Sequence, residues 1–229
     1  EELAVLDRLN AVRATPLVQN LRSREPVFHW APTTLVYDDP EKTRSSSPRE
    51  DALLTTDLIR IIGRPESTLD LVSPYFVPGR DGAASIGALA REGVRVRVLT
   101  NSLAATDVAA VHAGYVKSRR RLLRDGVELY EFHPLSSRRA LAQRIGEPER
   151  PRGSAPNIGG SRGSRAALAL HAKTFAVDST RLFIGSFNFD PRSTHYNTEL
   201  GVIIESPFMA RGLHDEFARN VPVASYAVR

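Results

Sequence analysis

One stretch of the chain, residues 170–188, does most to limit what the sequence can fold into. It reads L-H-A-K-T-F-A-V-D-S-T-R-L-F-I-G-S-F-N, with an apolar run on either side of Asp178-Ser179-Thr180. Two apolar runs around a polar tripeptide are typical of two β-strands joined by a tight turn. We therefore predict a β-hairpin here.

Polar side chains are spaced along this hairpin so that they can meet. Alternate residues of a strand point to the same face, so His171 and Lys173 share one face, as do Ser186 and Asn188. An ammonium neutralises phosphoryl oxygens, a hydroxyl and an amide donate hydrogen bonds to them, and an imidazole attacks phosphorus or protonates a leaving oxygen. The pattern favours chemistry on a phosphate diester. The alternative is a hairpin with a core histidine and a solvated lysine.

The same spacing resembles the signature of the phospholipase D superfamily, H-x-K-x4-D-x6-G-S-x-N. The resemblance implies a set of catalytic residues in this hairpin. They are His171, Lys173, Asp178, Ser186 and Asn188. In the superfamily a Glu downstream hydrogen-bonds the far nitrogen of the motif histidine, where a carboxylate fixes the tautomer. Glu199 matches that position by its context, and Glu205, at the exit of the predicted strand, is the second choice.

Resemblance extends beyond the hairpin, over roughly residue 38 to the end. Residues 73–79, 99–115 and 127–132 look like the C-terminal half of bacterial cardiolipin synthase-like phospholipase D proteins. Ligands bind at the carboxyl ends of strands in such sheets, so residues in the following loops are candidates for substrate binding. They are Tyr75, Phe76, Asn101 and His112. Packing and helix capping are the alternative roles for each of them.

Only one His-x-Lys pair is present, whereas relatives of this type have two, one in each lobe. None of the other five histidines is followed two residues later by lysine. The site predicted here is therefore half a site. Either an N-terminal lobe is missing from this chain, or two copies dimerise. We favour a missing lobe, because residues 1–50 resemble the segment after the first motif and the chain starts without Met. By analogy, His171 is the general acid and base, and the missing histidine is the nucleophile.

Apolar periodicity predicts strands alternating with helices. Helices are expected over 50–62, 82–91, 107–124 and 207–219, and strands over 68–72, 94–100, 127–132 and the hairpin. Such alternation favours a mainly parallel or mixed sheet, and the resemblance implies an α/β lobe of the phospholipase D type, an α-β-α sandwich. We predict an inter-lobe linker over residues 1–49 and the catalytic lobe over 50–229.

Charge favours anionic partners. The net charge is +5 and the pI about 9.9, with seven arginines between residues 136 and 165. That stretch is predicted to be a long basic loop, with a lid or a contact to an anionic surface as its function and a functionless insertion as the alternative. Lys42 and Arg44 are interpreted as part of a solvated basic loop, and contact with a lipid headgroup is the alternative. The absence of cysteine excludes disulfides and thiolate metal sites.

Taken with these features, the resemblance implies a bacterial, peripherally membrane-bound phosphatidyltransferase of the cardiolipin synthase type, acting through a phosphohistidine. Its partners would be a phospholipid substrate, an anionic membrane surface and a second lobe with the same signature. No cofactor or metal is expected, because the site residues supply cationic and amide groups themselves. The alternatives are a phosphodiesterase that hydrolyses phospholipid or nucleic acid, and a catalytically silent membrane-binding lobe.

Overall fold

The computed structural model describes residues 9–10, 12–23, 28–44, 53–134 and 169–229. The strands are β1 Thr33–Tyr37, β2 Thr68–Val72, β3 Arg95–Asn101, β4 Glu128–Phe132, β5 Thr174–Val177, β6 Arg181–Gly185, β7 Leu200–Glu205 and β8 Ser225–Val228. The helices are α1 Pro16–Arg22, α2 Leu54–Ile62, α3 Gly79–Arg91, α4 Ala109–Arg124, α5 Pro191–His195, α6 Pro207–Arg219 and α7 Val221–Ala224, with a 3-10 helix at Pro40–Thr43.

All eight strands form one mixed sheet in the order β1-β7-β6-β5-β2-β3-β4-β8. The pairs β2–β3 and β3–β4 are parallel, and the other neighbours are antiparallel. The parallel pairs are connected through α3 and α4, as parallel neighbours require a crossover. The predicted hairpin is confirmed as β5 and β6, in the middle of the sheet.

Helices cover both faces of the sheet. On one face α2, α3 and α4 bury residues such as Leu54, Ile86 and Leu122 against the strands. On the other face α6 and α7 bury Phe217 and Val221 against β2 and β3. The α-β-α sandwich predicted from the sequence is therefore confirmed. Among the helices in the described ranges, none is both long and apolar enough to cross a membrane.

Some elements differ from the prediction. β8 was not predicted, and it pairs with β4 at the edge of the sheet. β1 pairs with β7 along its whole length, so the sheet already begins at Thr33, before the predicted boundary at residue 49. The predicted basic loop at 136–165 falls within 135–168, outside the described residues.

Lys42 corrects a second expectation about the region before residue 50. Its side chain is only 1% exposed and pairs with the equally buried Asp38, Nζ to Oδ2, at 2.7 Å. Lys42 is therefore neither part of a solvated loop nor free to contact a headgroup. Arg44 is exposed and pairs with Glu41 at 2.9 Å.

Candidate active site

The two halves of the signature meet at one edge of the sheet. Lys173 directly precedes β5 and Gly185 ends β6, and the Gly185 N–H donates to the Lys173 carbonyl at 3.1 Å. Because the two strands are antiparallel, the residues before β5 and after β6 lie side by side. His171, Lys173, Ser186 and Asn188 therefore lie at the same end of the hairpin, although Ser186 and Asn188 follow the strand instead of lying within it.

Gly185 is required by the packing beneath this edge. It pairs in register with Gly201 of β7. A Cβ atom on Gly185 would lie 2.5 Å from the Leu200 carbonyl oxygen and 2.6 Å from the Phe183 ring. The ring of Phe183 thus occupies the space that a side chain at either glycine would need. This explains why the chain turns into Ser186 through a glycine.

His171 and Lys173 form a contact pair at the open side of the site. Lys173 Nζ donates to the His171 carbonyl at 2.9 Å and lies 3.4 Å from His171 Nε2. A protonated lysine only donates hydrogen bonds, so in this arrangement Nε2 is the acceptor. Burial lowers the pKa of Lys173, and the nearby carboxylates of Glu199 and Asp190 oppose that shift. The imidazole is exposed and available to a reacting group.

Glu199 is buried directly behind Ser186. Its Oε2 accepts from Ser186 Oγ at 2.5 Å, and its Oε1 accepts from Ser193 Oγ at 2.7 Å and from Asn197 Nδ2 at 3.3 Å. His171, the expected partner, is not among these donors. The register explains the difference: Glu199 precedes β7, the direct neighbour of β6, whereas His171 precedes β5, one strand further away.

Asn188 is held through its backbone and is 8% exposed. Its N–H donates to Ser193 Oγ at 3.2 Å. Within the described part of the chain, its buried side-chain oxygen Oδ1 has no hydrogen-bond partner.

Asp178 does not belong to this cluster, which corrects its predicted catalytic role. It lies in the hairpin turn at the far end of β5, about 17 Å along the strand from Lys173 at ~3.3 Å per residue. Its carboxylate accepts from the backbone N–H groups of Glu66, Ser67 and Thr68, at 2.9, 2.7 and 2.9 Å. Asp178 therefore anchors the turn to the start of β2.

The predicted substrate-binding residues have different roles in the structure. Phe76 is 0% exposed and packs against Tyr115 and Phe189, so it is a core residue and has no surface for a substrate. Asn101 holds the chain before the motif: its amide donates to the Leu170 carbonyl at 3.2 Å and accepts from the Leu170 N–H at 3.0 Å.

Tyr75 and His112 remain candidates for contact with a substrate. Tyr75 is partly exposed, and its hydroxyl donates to Asp107 at 2.7 Å. Burial and the Asp107 carboxylate raise the pKa of Tyr75 to about 12. The Nδ1 atom of His112 is buried with no partner among the described residues, and the ring packs edge-on against Tyr115.

Three site residues were missed by the sequence analysis: Asp38, Lys42 and Ser193. Ser193 lies in the first turn of α5, directly after the N-cap Asp190, and the local sequence does not reveal that Ser193 turns back towards Asn188. In the described ranges, no three His, Asp or Glu side chains are grouped so that they could hold a metal ion.

Comparison with known proteins places this chain in a family. The family model described as "Cardiolipin synthase, PLD-like domain" matches residues 58–221. The chain is similar to Cardiolipin synthase C of Escherichia coli, with 41% identity over 221 residues that cover 96% of the chain. The matched region spans only 43% of that relative's length.

Two solved structures show the same fold at low sequence identity. One is Nuc from Salmonella typhimurium, a phospholipase D family member, with a TM-score of 0.55 and 15% identity over 87% of this chain and 99% of that one. The other is phosphatidylserine synthase from Haemophilus influenzae, with a TM-score of 0.55 and 13% identity over 92% of this chain and 46% of that one. The fold thus corresponds to a whole chain in one case and to about half a chain in the other.

Proposed function

Because the chain belongs to the phospholipase D superfamily, within the family of cardiolipin synthases with a PLD-like domain, we propose that it is one catalytic half of a phosphatidyltransferase. The substrates would be a glycerophospholipid donor and a lipid alcohol acceptor. One observation carries the proposal: the exposed His171 and Ser186, the partly buried Lys173 and the buried Asn188 lie at one end of the hairpin, with the buried Glu199 carboxylate hydrogen-bonded to Ser186. A lobe with a purely structural function would need none of these groups there.

The reaction follows from one imidazole on each side of the phosphate. The histidine of a second lobe attacks phosphorus, and the bond from phosphorus to the leaving alcohol breaks. His171, as imidazolium, gives its proton to that oxygen. His171 then takes the proton of the acceptor alcohol, whose oxygen attacks phosphorus and releases the second histidine. Lys173, Ser186 and Asn188 would bind the non-bridging oxygens.

An exposed apolar surface beside the site supports the need for a second lobe. Leu35 and Tyr37 of β1, Ile184 of β6 and Leu200 of β7 are 44–60% exposed. Tyr37 is opposite Leu200, and Leu35 and Ile184 both lie opposite Val202, so these side chains share one face of the sheet. We call this surface the β1–β7–β6 face. A cluster of apolar side chains that borders a half-site is typical of an interface.

The test is an assay of the purified 229-residue chain together with its molar mass in solution. We expect little or no turnover by the chain alone, and activity when a lobe with the other His-x-Lys pair is added. The chain alone lacks the nucleophilic histidine, and if His171 attacked phosphorus in its place no general acid would be left; loss of a general acid typically costs 10²–10⁴-fold, so the rate should fall by at least about that factor. The same lobe with its motif His→Ala is the control and should restore nothing.

Product analysis separates transfer from the alternatives. Transfer to a glycerol group supports the phosphatidyltransferase, whereas phosphatidic acid or cut DNA would assign a hydrolase. Robust turnover by a monomer would contradict the half-site. Robust turnover by a dimer of this chain would replace the missing lobe by a symmetric partner.

A further inference from the structure

A buried ion pair lies beneath the candidate active site. Asp38 directly follows β1, and Lys42 lies in the 3-10 helix at Pro40–Thr43. Their side chains are each 1% exposed and meet at 2.7 Å. Two charges lose their hydration at such depth, so the pair is favourable only if further hydrogen bonds satisfy the remaining donors and acceptors. The partners of these two side chains therefore show what the pair holds in place.

Those partners belong to the site. Asp38 Oδ2 accepts from the Glu199 N–H at 2.9 Å, and Lys42 Nζ donates to the Ser193 carbonyl at 2.8 Å. The other oxygen, Asp38 Oδ1, accepts from the N–H of Leu54 at the start of α2, at 2.8 Å. The pair thus fixes the main chain at Glu199 and Ser193 simultaneously, although more than 150 residues of sequence separate the two regions.

From Glu199 and Ser193, single hydrogen bonds lead to the phosphate-facing groups. The Glu199 carboxylate accepts from Ser186 Oγ and from Ser193 Oγ. Ser193 Oγ in turn accepts from the Asn188 N–H. The route from the ion pair to Ser186 and Asn188 is therefore a continuous hydrogen-bond network.

We propose that Asp38 and Lys42 are positioning residues that set the placement of Ser186 and Asn188 for phosphate binding. They act through the backbone of Glu199 and Ser193 and never touch the substrate. The inference rests on the proposed function, since it assumes that Ser186 and Asn188 bind phosphate.

A second buried ion pair provides a matched control. Arg97 and Asp70 meet at 2.5 Å with side chains 5% and 0% exposed. Asp70 also contacts His214, and Arg97 lies 5.1 Å from the centre of the Phe217 ring. These contacts hold α6 against the sheet, and none of them involves a residue of the Glu199 network. Breaking either pair leaves one buried charge without its partner, so both changes should lower the thermal midpoint.

The experiment compares Lys42→Met with Arg97→Met in the 229-residue chain. NMR titration with inorganic phosphate, observed at the Asn188 side-chain amide, gives the dissociation constant. Amide hydrogen exchange at Asn188 and Glu199 is measured at a temperature equally far below the thermal unfolding midpoint of each variant. We expect Lys42→Met to weaken phosphate binding and to speed exchange at both amides by about tenfold or more, the effect of losing roughly one charge-assisted hydrogen bond. Arg97→Met should leave both quantities unchanged.

A double variant keeps the test valid if a single one fails to fold. Asp38→Asn with Lys42→Met removes both charges, so no buried charge is left unpaired. The bond to the Ser193 carbonyl is still lost, and phosphate binding should again weaken. Asp70→Asn with Arg97→Met is its control.

The outcomes are separable. Equal phosphate affinity and equal exchange in the two sets of variants would overturn the positioning role and leave Asp38–Lys42 as a purely structural pair. If the unmodified chain binds no phosphate, the proposed function fails on that result. The exchange rates at Asn188 and Glu199 then decide by themselves whether the pair positions this edge.

Discussion

The pKa of the Asp178 carboxyl depends on hydrogen bonds from backbone N–H groups. Burial by itself would raise its pKa, but hydrogen bonds from the N–H groups of Thr68, Ser67 and Glu66 hold the pKa below the ordinary value. A carboxyl whose pKa is lower in the folded than in the unfolded state stabilises the fold above its unfolded pKa. That stabilisation is lost as the pH falls through the folded pKa.

We therefore predict that Asp178→Asn lowers the free energy of unfolding near neutral pH by about 1–3 kcal/mol. The difference from the unmodified chain should shrink below about pH 4, where the carboxyl starts to be protonated in the unfolded chain. Urea unfolding at a series of pH values measures it. Asp215→Asn, in an exposed pair with Arg219, is the control. If the difference in unfolding free energy stayed constant down to about pH 2, the charge of Asp178 would not contribute to stability.

A second prediction at this scale concerns the side chains of His171 and Lys173. With a second lobe present, His171→Ala should abolish turnover without unfolding the protein, because the imidazole is exposed. Lys173→Arg should also be severely impaired, since a planar guanidinium places its charge differently from a compact ammonium. The assay is run beside circular dichroism, with the exposed His29→Ala as control. Near-normal rates in His171→Ala would remove this residue from the mechanism.

At the level of elements, the sequence predicted what depends on local periodicity. The β5–β6 hairpin and α6 were both correctly placed. β8 was missed, because a four-residue strand at a sheet edge is defined by its pairing with β4 and hardly by its own pattern. The residues of the signature were also expected to lie together in one site. The strand between its members in fact separates Asp178 from Lys173.

Helix α4 carries a basic stripe that the described structure leaves exposed. It contains five Lys and Arg residues and no Asp or Glu. Arg119 pairs with Glu131 at 3.1 Å, and Arg121 lies 3.8 Å from Asp125. Lys117, Arg120 and Arg124 are exposed, lie on one helix face by their spacing, and have no ion-pair partner within the described ranges. This stripe is suited to an anionic surface.

We predict that changing Lys117, Arg120 and Arg124 together to Gln weakens binding to vesicles that contain anionic lipid. Each basic group is worth up to about 1 kcal/mol near such a surface, so the loss at low salt should reach roughly 100-fold. This loss of binding should become smaller as added salt shortens the Debye length to ~8 Å and below. Vesicle sedimentation measures it. The control is Gln at Arg44, Arg60 and Arg219, all in surface ion pairs. Equal losses in both variants would show only a dependence on net charge.

At the scale of the molecule, the α/β class could be predicted from the alternation of strands and helices, and the hairpin whose edge carries the candidate site could be predicted from its two apolar runs. The support beneath that edge could not. Lys42 was interpreted as part of a solvated basic loop, and only the pairing of β1 with β7 brings Lys42 and Asp38 under Glu199. Burial of a lysine depends on which strands become neighbours, which local sequence does not contain.

The β1–β7–β6 face gives a prediction at this scale. Leu35→Ser with Tyr37→Ser should leave folding nearly unchanged, as both side chains are 60% exposed. It should weaken association with an added second lobe by roughly tenfold or more, as truncating apolar anchors does at interfaces. Analytical ultracentrifugation provides the measurement. Phe28→Ser with Trp30→Ser, on residues 68% and 93% exposed outside this face, is the control. Unchanged association in the first variant would place the interface elsewhere.

The pairing of β1 with β7 also sets the order in which the molecule can be made. Tyr37 finds its partner at Leu200, so β1 leaves the ribosome long before the strand that completes it. At roughly 5–20 residues per second, synthesis of the intervening chain takes about 8–33 s. During that time β1 exposes unpaired backbone and the side chains of Leu35 and Tyr37. The nascent chain should therefore depend on chaperone protection, and the reactive edge cannot assemble until translation of the lobe is nearly complete.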